Sequence, residues 1–461
     1  MSAAEKYDLV IKDGNVVTFD PPKILKKYNI GIKDGIIKKI SKPALAGKKE
    51  IDAQGKYVSP GFIDFHSHVA GKLFSAECVA RQGVTTTIGG ERNFNGKLIR
   101  DVAENGFLLN QGFYVSHSFT LRRAAGCTNI YHPATREEIR DMKELARRFL
   151  ESGAYGIHFG LEYVPGTSRE ELIQLCQVAK EYERPVLIHT RGDASIAVEQ
   201  FDEIEEVALG VGTAVHLLHI GYQIGYTGVM GEGLKRIEKI IKDGGDITAD
   251  TGLYAAFPNC IGSSILDRDW VQRYREVNPD FSERNVLVSS GIYSGEYCTP
   301  ESFRFIRDNY PATLVAIFAC DEKEIEKAIT KPYVFISSNS ADGPHYENVG
   351  HPETAGTFPR LIRKYVREKN MLMLTEAIEK ITYGPARRFG IENKGNIKQG
   401  YDADLVIFSL EDIKDRADFP GSGDPNATPE GIDYVIVKGD IICENNIFTG
   451  NYNSGTFLQH A

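Results

Sequence analysis

The 461-residue chain has no apolar run of the length that crossing a bilayer takes, about 20 residues. Its first residues, Met1-Ser-Ala-Ala-Glu-Lys-Tyr-Asp8, hold no apolar signal core, so no secretory targeting is expected. Basic charge is not in excess: 54 Lys and Arg face 63 Asp and Glu, a formal net charge of -9. Nucleic acid would call for a basic stripe and is set aside as a partner, as is a membrane. There is no Cys-x-x-Cys. The seven cysteines (78, 127, 176, 260, 298, 320 and 443) are odd in number and scattered, which fits free thiols in a reducing cytoplasm and offers no cysteine-built metal cluster. Solenoid repeats and low-complexity tracts are absent too.

What is present is the composition of a globular protein, 42% hydrophobic and 25% charged, in a chain long enough for more than one domain. The two ends read as short strands. Residues 7–19 carry Asp13-Gly14 and residues 30–40 carry Asp34-Gly35, both hairpin signals between β-rich runs. Residues 403–408 read as a strand, and Lys438-Gly-Asp440 separates two apolar runs within 434–445. The spacing predicts one small β-sandwich domain built from residues 1–58 plus 390–461.

The middle alternates strand and helix. Strands are expected at 58–65, 85–88, 113–119, 155–163, 185–190, 214–220, 246–254 and 333–338. Thr135-Arg-Glu-Glu138 and Ser168-Arg-Glu-Glu171 are capping-box signals that open two of the intervening helices. Eight strand–helix units over residues 59–389 predict an α/β fold, a (β/α)8 TIM barrel. Residues 255–330 exceed one unit and read as an insertion, either a lid or a solvated decoration.

Polar residues gather at the strand ends. The first strand ends in His66-Ser-His68, and residues two apart in a strand face one side, at a spacing that suits one metal ion. The fifth ends in His189, the sixth in His219, and the eighth runs on to Asp342. In a barrel these ends meet at one mouth, where active sites are built. Each residue also has a plainer reading: the histidines as satisfied core side chains, Asp342-Gly343 as a turn. His216, three before His219, faces the other way and is expected to be structural.

The run Pro60-Gly-Phe-Ile-Asp-Phe-His-Ser-His68 resembles the signature of the metal-dependent amidohydrolase superfamily. The resemblance covers nearly the whole chain and narrows to the N-acyl-D-amino-acid deacylase branch. It rests on Gly83-Val-Thr-Thr86, on Gly160-Leu-Glu-Tyr-Val-Pro-Gly166, and on Gly356-Thr-Phe-Pro-Arg-Leu361 with Tyr365-Val-Arg-Glu368. Pro385-Ala-Arg-Arg-Phe-Gly390, Gly395-Asn-Ile-Lys-Gln-Gly400 and Ala403-Asp-Leu-Val406 extend it. The resemblance implies one or two zinc ions, His66, His68, His189 and His219 as ligands, Asp342 as general acid/base, and hydrolysis of a C–N bond other than a peptide bond. The chemistry is coherent on its own terms, because a metal activates water near neutral pH and a carboxylate moves the proton to the leaving nitrogen.

The chain also departs from that branch. The branch places a metal-binding cysteine after Gly-Val-Thr-Thr; here the stretch reads Gly89-Gly-Glu-Arg-Asn93, so Glu91 is the candidate ligand. His158 matches the fourth-strand position where other branches carry a carboxylated lysine; the bridging ligand is left open between Glu91, His158 and neither, and His158 is assigned with Tyr163 to the substrate side of the site. An arginine of the branch that grips the substrate carboxylate is replaced in His351-Pro-Glu353, and a lysine is replaced by Gly221. With Glu353 in place of a cation, a substrate carboxylate is expected to be repelled, and Arg191 is the remaining nearby cation, there to hold a substrate oxygen or merely to anchor a loop. The expected substrate is therefore a small-molecule amide other than a standard N-acyl-D-amino acid. A cyclic amidase opening a lactam, imide or hydantoin-like ring and a non-catalytic scaffold are the competing readings, and homo-oligomerisation is left open.

Overall fold

The computed structural model describes residues 7–69, 71–89, 101–102, 104–267, 269–340 and 349–460. Strands Tyr7–Thr18, Lys23–Lys33, Ile36–Ser41, Gly47–Asp52 and Tyr57–Pro60 join Leu405–Phe408, Ile432–Val437, Asp440–Glu444 and Ile447–Phe448 in one nine-stranded sheet. The seam between the two ends is the antiparallel pair Tyr57–Pro60 and Leu405–Phe408, with Leu405 opposite Pro60 and Phe408 opposite Tyr57. Ile11, Val16, Ile30, Val58, Leu405, Ile407 and Ile436, all buried, are its core.

Two of the three turn signals make hairpins. Asp34-Gly35 and Lys438-Gly439 both have positive φ at the two central residues (53° and 73°, 47° and 82°), as a two-residue turn matching strand twist requires. Asp13-Gly14 does not. It is a bulge inside the single strand Tyr7–Thr18, with the register to Lys23–Lys33 shifting on both sides of Gly14. A Cβ on Gly14 would lie 2.5 Å from Val58 Cγ2, so close approach to the neighbouring strand is what calls for glycine there.

The middle of the chain forms eight parallel strands in a TIM-barrel-like α/β arrangement. They are Phe62–Ser67, Val84–Gly89, a third in two pieces (Asn110–Phe113 and Val115–Ser116), Ile157–Gly160, Val186–His189, Val215–Leu217, Ile247–Thr251 and Val334–Ile336, neighbours in that order. Tyr114 interrupts the third strand and its N–H donates to Gly89 O at 3.1 Å. Between the eighth strand and the first, the described residues form no backbone ladder. Side chains tie the two together instead: Asp64 accepts from Ser338 N (3.1 Å) and Ser338 Oγ, and Ser340 Oγ lies 3.1 Å from Ser67 Oγ. Beneath the strand ends, Phe65, Phe335 and Phe389 surround the buried His216 ring at centroid distances of 5.3, 6.2 and 5.2 Å.

Helix starts follow the sequence. Thr135 Oγ1 accepts from Glu138 N and Glu138 returns the bond to Thr135 N, opening Arg136–Glu151. Ser168 caps Arg169–Glu181 in the same way, but the return bond is missing. The Glu171 carboxylate is instead fully buried between Arg122 (2.7 Å) and His117 (2.7 Å), two donors that bind it more strongly than a helix-end N–H. Among the described residues no helix is long and apolar enough to cross a membrane, and all seven cysteines are free.

The segment after the seventh strand forms a three-stranded antiparallel sheet, Leu314–Ile317 between Phe257–Cys260 and Val286–Val288. Trp270 packs it together, stacking on Phe303 and meeting Phe281 and Tyr274 edge-on. The helix Glu322–Ile329 then leads back to the eighth strand.

Candidate active site

One cavity at the strand ends collects most of the chemistry-bearing residues. His66 and His68 leave the first strand, His158 the fourth, His189 the fifth and His219 the turn after the sixth; all line it, together with Tyr163, Asp193, Tyr222, Gln223 and Asn339. The inserted sheet contributes Phe257, Asn259, Cys260 and Leu314. The insertion thus covers the mouth instead of decorating the far surface.

The imidazoles converge. His189 Nδ1 lies 3.2 Å from His219 Nε2, and the His66 ring lies 5.1 Å from that of His219, 5.9 Å from His68 and 6.3 Å from His158. Two nitrogens bound to one tetrahedral zinc at 2.0–2.1 Å sit about 3.3 Å apart, so the His189–His219 spacing fits a shared ion. The far nitrogens are held by carboxylates. His66 Nδ1 donates to Asp250 Oδ2 at 3.1 Å and His189 Nε2 to Glu162 Oε2 at 3.0 Å. Such partners fix the tautomer and leave the other nitrogen basic.

Asp250, fully buried in the seventh strand, organises the floor. Besides His66 it accepts from His216 Nε2 (3.1 Å) and from the His219 backbone N–H (2.6 Å). Burial pushes its carboxyl up, but the charge and hydrogen bonds of His66 and His216 outweigh this and hold it below the usual carboxylate range. The His219 N–H bond also pins a backbone at φ 32°, ψ 53°, left-handed and costly for a residue other than glycine. A Cβ-bearing residue stays there because Asp250 and the ring's place in the cavity over-determine it.

A second carboxylate group stands behind His189. Ligand atoms of Glu162, His189 and Asp193 lie within 4.8 Å of one another, a spacing that also suits a cation. The Arg273 guanidinium already bonds Glu162 Oε1, so the group reads as support for His189. Burial raises the Asp193 carboxyl to about 7, aided by the charge of Glu162, and raises Glu162 as well against the pull of Arg273.

Of the residues singled out in the sequence, His66, His68, His158, Tyr163, His189 and His219 come together here. Glu91 and Asp342 lie outside the described residues, although Asn339, three before Asp342, lines the cavity and its N–H donates to His66 O at 3.1 Å. Arg191 and Glu353 do not line the cavity. Arg191 pairs with Glu203 at 2.9 Å and donates to Thr167 O at 2.7 Å, anchoring its loop. Glu353 has no exposed surface; Tyr222 OH donates to its Oε2 at 2.6 Å, and among the described residues its Oε1 has no partner. His351 does not supply a cation either. Its Nε2–H donates to Ala256 O (3.1 Å) and its Nδ1 accepts the Glu353 N–H (3.2 Å), so the ring is neutral, and burial lowers it to about 3. Burial in turn raises Glu353 well above the usual range. The expected repulsion of a substrate carboxylate by Glu353 is therefore corrected: the carboxyl is sealed behind Tyr222, off the cavity wall, and burial favours its neutral form.

Asp250, Glu162 and Asp193 were missed in the sequence. Asp250 left a trace, an acid inside the strand Ile247–Thr251, which is costly to bury unless partnered. Glu162 and Asp193 stand in loops beyond strand ends, where acidic residues are ordinary.

Profiles of the amidohydrolase family match residues 49–131 and 323–442. The chain is 26% identical over 462 residues to the D-aminoacylase of Alcaligenes xylosoxydans xylosoxydans, covering 90% of each chain. It is 27% identical over 435 residues to the N-acyl-D-glutamate deacylase of the same organism, covering 86% of this chain and 85% of the relative. In three dimensions it is similar to the N-acyl-D-glutamate deacylase from Bordetella bronchiseptica, solved with zinc and a phosphonate mimic of the tetrahedral intermediate. The TM-score is 0.86 at 24% identity, covering 99% of this chain and 100% of that one.

Proposed function

We propose that the chain is a member of the amidohydrolase family, on its D-aminoacylase-like branch, and that it hydrolyses a non-peptide C–N amide bond of a small molecule, using zinc. The observation that carries this is the 3.2 Å approach of His189 Nδ1 to His219 Nε2, with the far nitrogens of His189 and His66 held by Glu162 and Asp250. That donor set fits zinc. His66, His68, His189 and His219 are the proposed ligands of one ion or two, with Glu91 the proposed carboxylate ligand. Zinc bound there supplies Lewis acidity toward the substrate carbonyl and a water nucleophile near neutral pH.

The remaining work falls to the chain. Asp250 holds His66 and the His219 backbone in place, and Glu162 orients His189. Asp342 is the proposed general acid/base, taking the proton of the attacking water and delivering it to the leaving nitrogen, a role that typically contributes 10²–10⁴-fold. His158 and Tyr163 are the proposed substrate contacts among the sequence-derived candidates. The inserted sheet, facing the cavity with Phe257 and Leu314, keeps bulk water from the reacting bond. The framework is read as a closed (β/α)8 barrel over 59–389, inserted at about 255–330, with a β-sandwich from 1–58 plus 390–461. The free cysteines favour a cytoplasmic setting.

The test is metal analysis of the purified protein followed by turnover of linear N-acyl amines, lactams, imides and hydantoins, before and after chelation. Zinc content with chelator-sensitive release of an amine or ring-opened product is expected. A protein without metal, in which His66→Ala changes neither metal content nor turnover, would make the chain a scaffold. Efficient turnover of ordinary N-acetyl-D-amino acids would remove the substrate restriction.

A further inference from the structure

We propose that the substrate carries an uncharged, apolar substituent beside the scissile amide, and that Tyr222 and the inserted sheet hold it in a subsite of carbon surface that rejects a carboxylate. The inference rests on the hydrolase reading of this cavity and names the kind of group its substrate presents there.

The subsite begins at the imidazoles. The Tyr222 ring lies 5.9 Å from the His219 ring, and the Phe257 ring lies 6.1 Å from that of Tyr222. Both line the cavity together with Ile265 and Leu314 of the same insertion, and all four side chains are buried. Tyr222 counts as carbon here because its hydroxyl is engaged off the cavity. The OH donates to Glu353 Oε2 at 2.6 Å, and Glu353 is fully buried and stands apart from the lining. The chain leaves room for that bond at Gly252, where a Cβ would lie 2.3 Å from the Tyr222 hydroxyl oxygen. Glu353 therefore acts through Tyr222: it holds the hydroxyl and leaves ring carbon for the cavity.

A carboxylate brought against this wall gives up its water and receives little in return. No Lys or Arg is among the described residues lining the cavity. The polar side chains that the described insertion offers there are the Cys260 thiol, a weak donor, and Asn259. Asn259 Oδ1 accepts the Cys260 N–H at 2.9 Å, which turns its NH2 toward the Tyr163 hydroxyl, 3.5 Å away. A neutral amide replaces the hydration of a full charge poorly. An alkyl group gains at the same surface, because its own apolar area and that of the wall leave water together. Discrimination against a carboxylate thus comes from lost hydration, with no part for repulsion by Glu353, and it depends on the protonation state of no residue in the wall.

Matched pairs in which a carboxylate is exchanged for an isopropyl group test this with the zinc-loaded full chain. N-acetyl-D-alanine against (R)-N-(3-methylbutan-2-yl)acetamide probes the amine side of the bond. N-methylsuccinamate against N,4-dimethylpentanamide probes the acyl side, and 6-oxopiperidine-2-carboxylate against 6-isopropylpiperidin-2-one a ring. The isopropyl member should be preferred at least tenfold in kcat/KM in one arm or more, and the arm identifies where the substituent lies. If no arm shows that preference, through equal turnover or through favour for the carboxylate, the inference is overturned. Phe257→Gln and Leu314→Lys should each lower the ratio at least tenfold, Leu314→Lys by raising turnover of the carboxylate member. A merely structural role would depress both members of a pair together, and a ratio unmoved in the variants that fold also overturns the inference; where neither folds, the wild-type ratios decide it. If no compound is turned over, the hydrolase reading fails, and the inference is decided by thermal-shift binding of the same pairs. Greater stabilisation by an isopropyl member supports it; equal shifts, or greater stabilisation by the carboxylate, overturn it.

Discussion

Replacing Glu353 by Gln should stabilise the protein at neutral pH, against the usual direction of a core substitution. The carboxyl is fully buried, its one hydrogen-bonding side-chain partner is the Tyr222 hydroxyl, and the adjacent His351 ring presents a lone pair in place of a charge. Burial raises it well above the usual carboxylate range and so favours the protonated form in the fold. In the unfolded chain the same group ionises with a pKa of about 4.3. A folded state that keeps the proton costs about 1.36 kcal/mol for each pH unit above that value. Glutamine keeps an oxygen for Tyr222 and needs no proton. Its extra N–H at the unpartnered position costs about 1–3 kcal/mol, close to what the protonated acid's own O–H costs there. The sign follows from linkage: between pH 4.3 and 7 the folded wild type holds a proton that the unfolded chain has released, so its stability falls as pH rises. The difference between Glu353→Gln and wild type should accordingly grow by about 1.4 kcal/mol per pH unit from pH 5 to 7. Denaturant unfolding at several pH values measures it. A variant that is destabilised, or an offset that does not change with pH, would show that Glu353 is ionised in place and refute the reasoning.

Asp250→Asn should leave the barrel folded and weaken zinc binding by 10–100-fold, since one acceptor oxygen facing His66, His216 and the His219 N–H becomes a donor; competition with a calibrated chelator reads this, and unchanged affinity would free Asp250 of the role. His351, neutral in the fold to about pH 3 and titrating near 6.5 when unfolded, binds fewer protons folded than unfolded across that window. Its contribution is intact above pH 6.5 and is lost as pH falls, reaching about 4–5 kcal/mol by pH 3. His351→Gln, which keeps a donor for Ala256 O and an acceptor for Glu353 N–H, should flatten the acid limb of the stability curve; an unchanged limb would place the acid sensitivity elsewhere.

The histidines were legible because each stands at the end of its own strand, and strand ends can be found from apolar runs and turn residues. The helix starts at Thr135 and Ser168 were legible for a similar reason: a cap is a local bond between residues three apart. What sequence hid was everything decided by burial. Glu353 reads as a negative charge until the fold seals it behind Tyr222 and favours its neutral form. Arg191 reads as a cation for a substrate oxygen or as a loop anchor, and Glu203, twelve residues on, decides for the anchor. Asp13-Gly14 has the composition of a turn and becomes a bulge because the same strand must keep pairing on both sides of it. The carboxylates behind His66 and His189 are separated from them by 184 and 27 residues, and only the barrel brings them into contact.

The seam between Tyr57–Pro60 and Leu405–Phe408 bears on how the chain is made. A ribosome delivers the first five strands of the nine-stranded sheet long before their partner across that seam exists. Throughout elongation of the barrel the nascent Tyr57–Pro60 edge stands open, the kind of surface that recruits another chain. Translation speed through the second half of the message therefore sets how long each molecule is exposed to mispairing with its neighbours on the polysome.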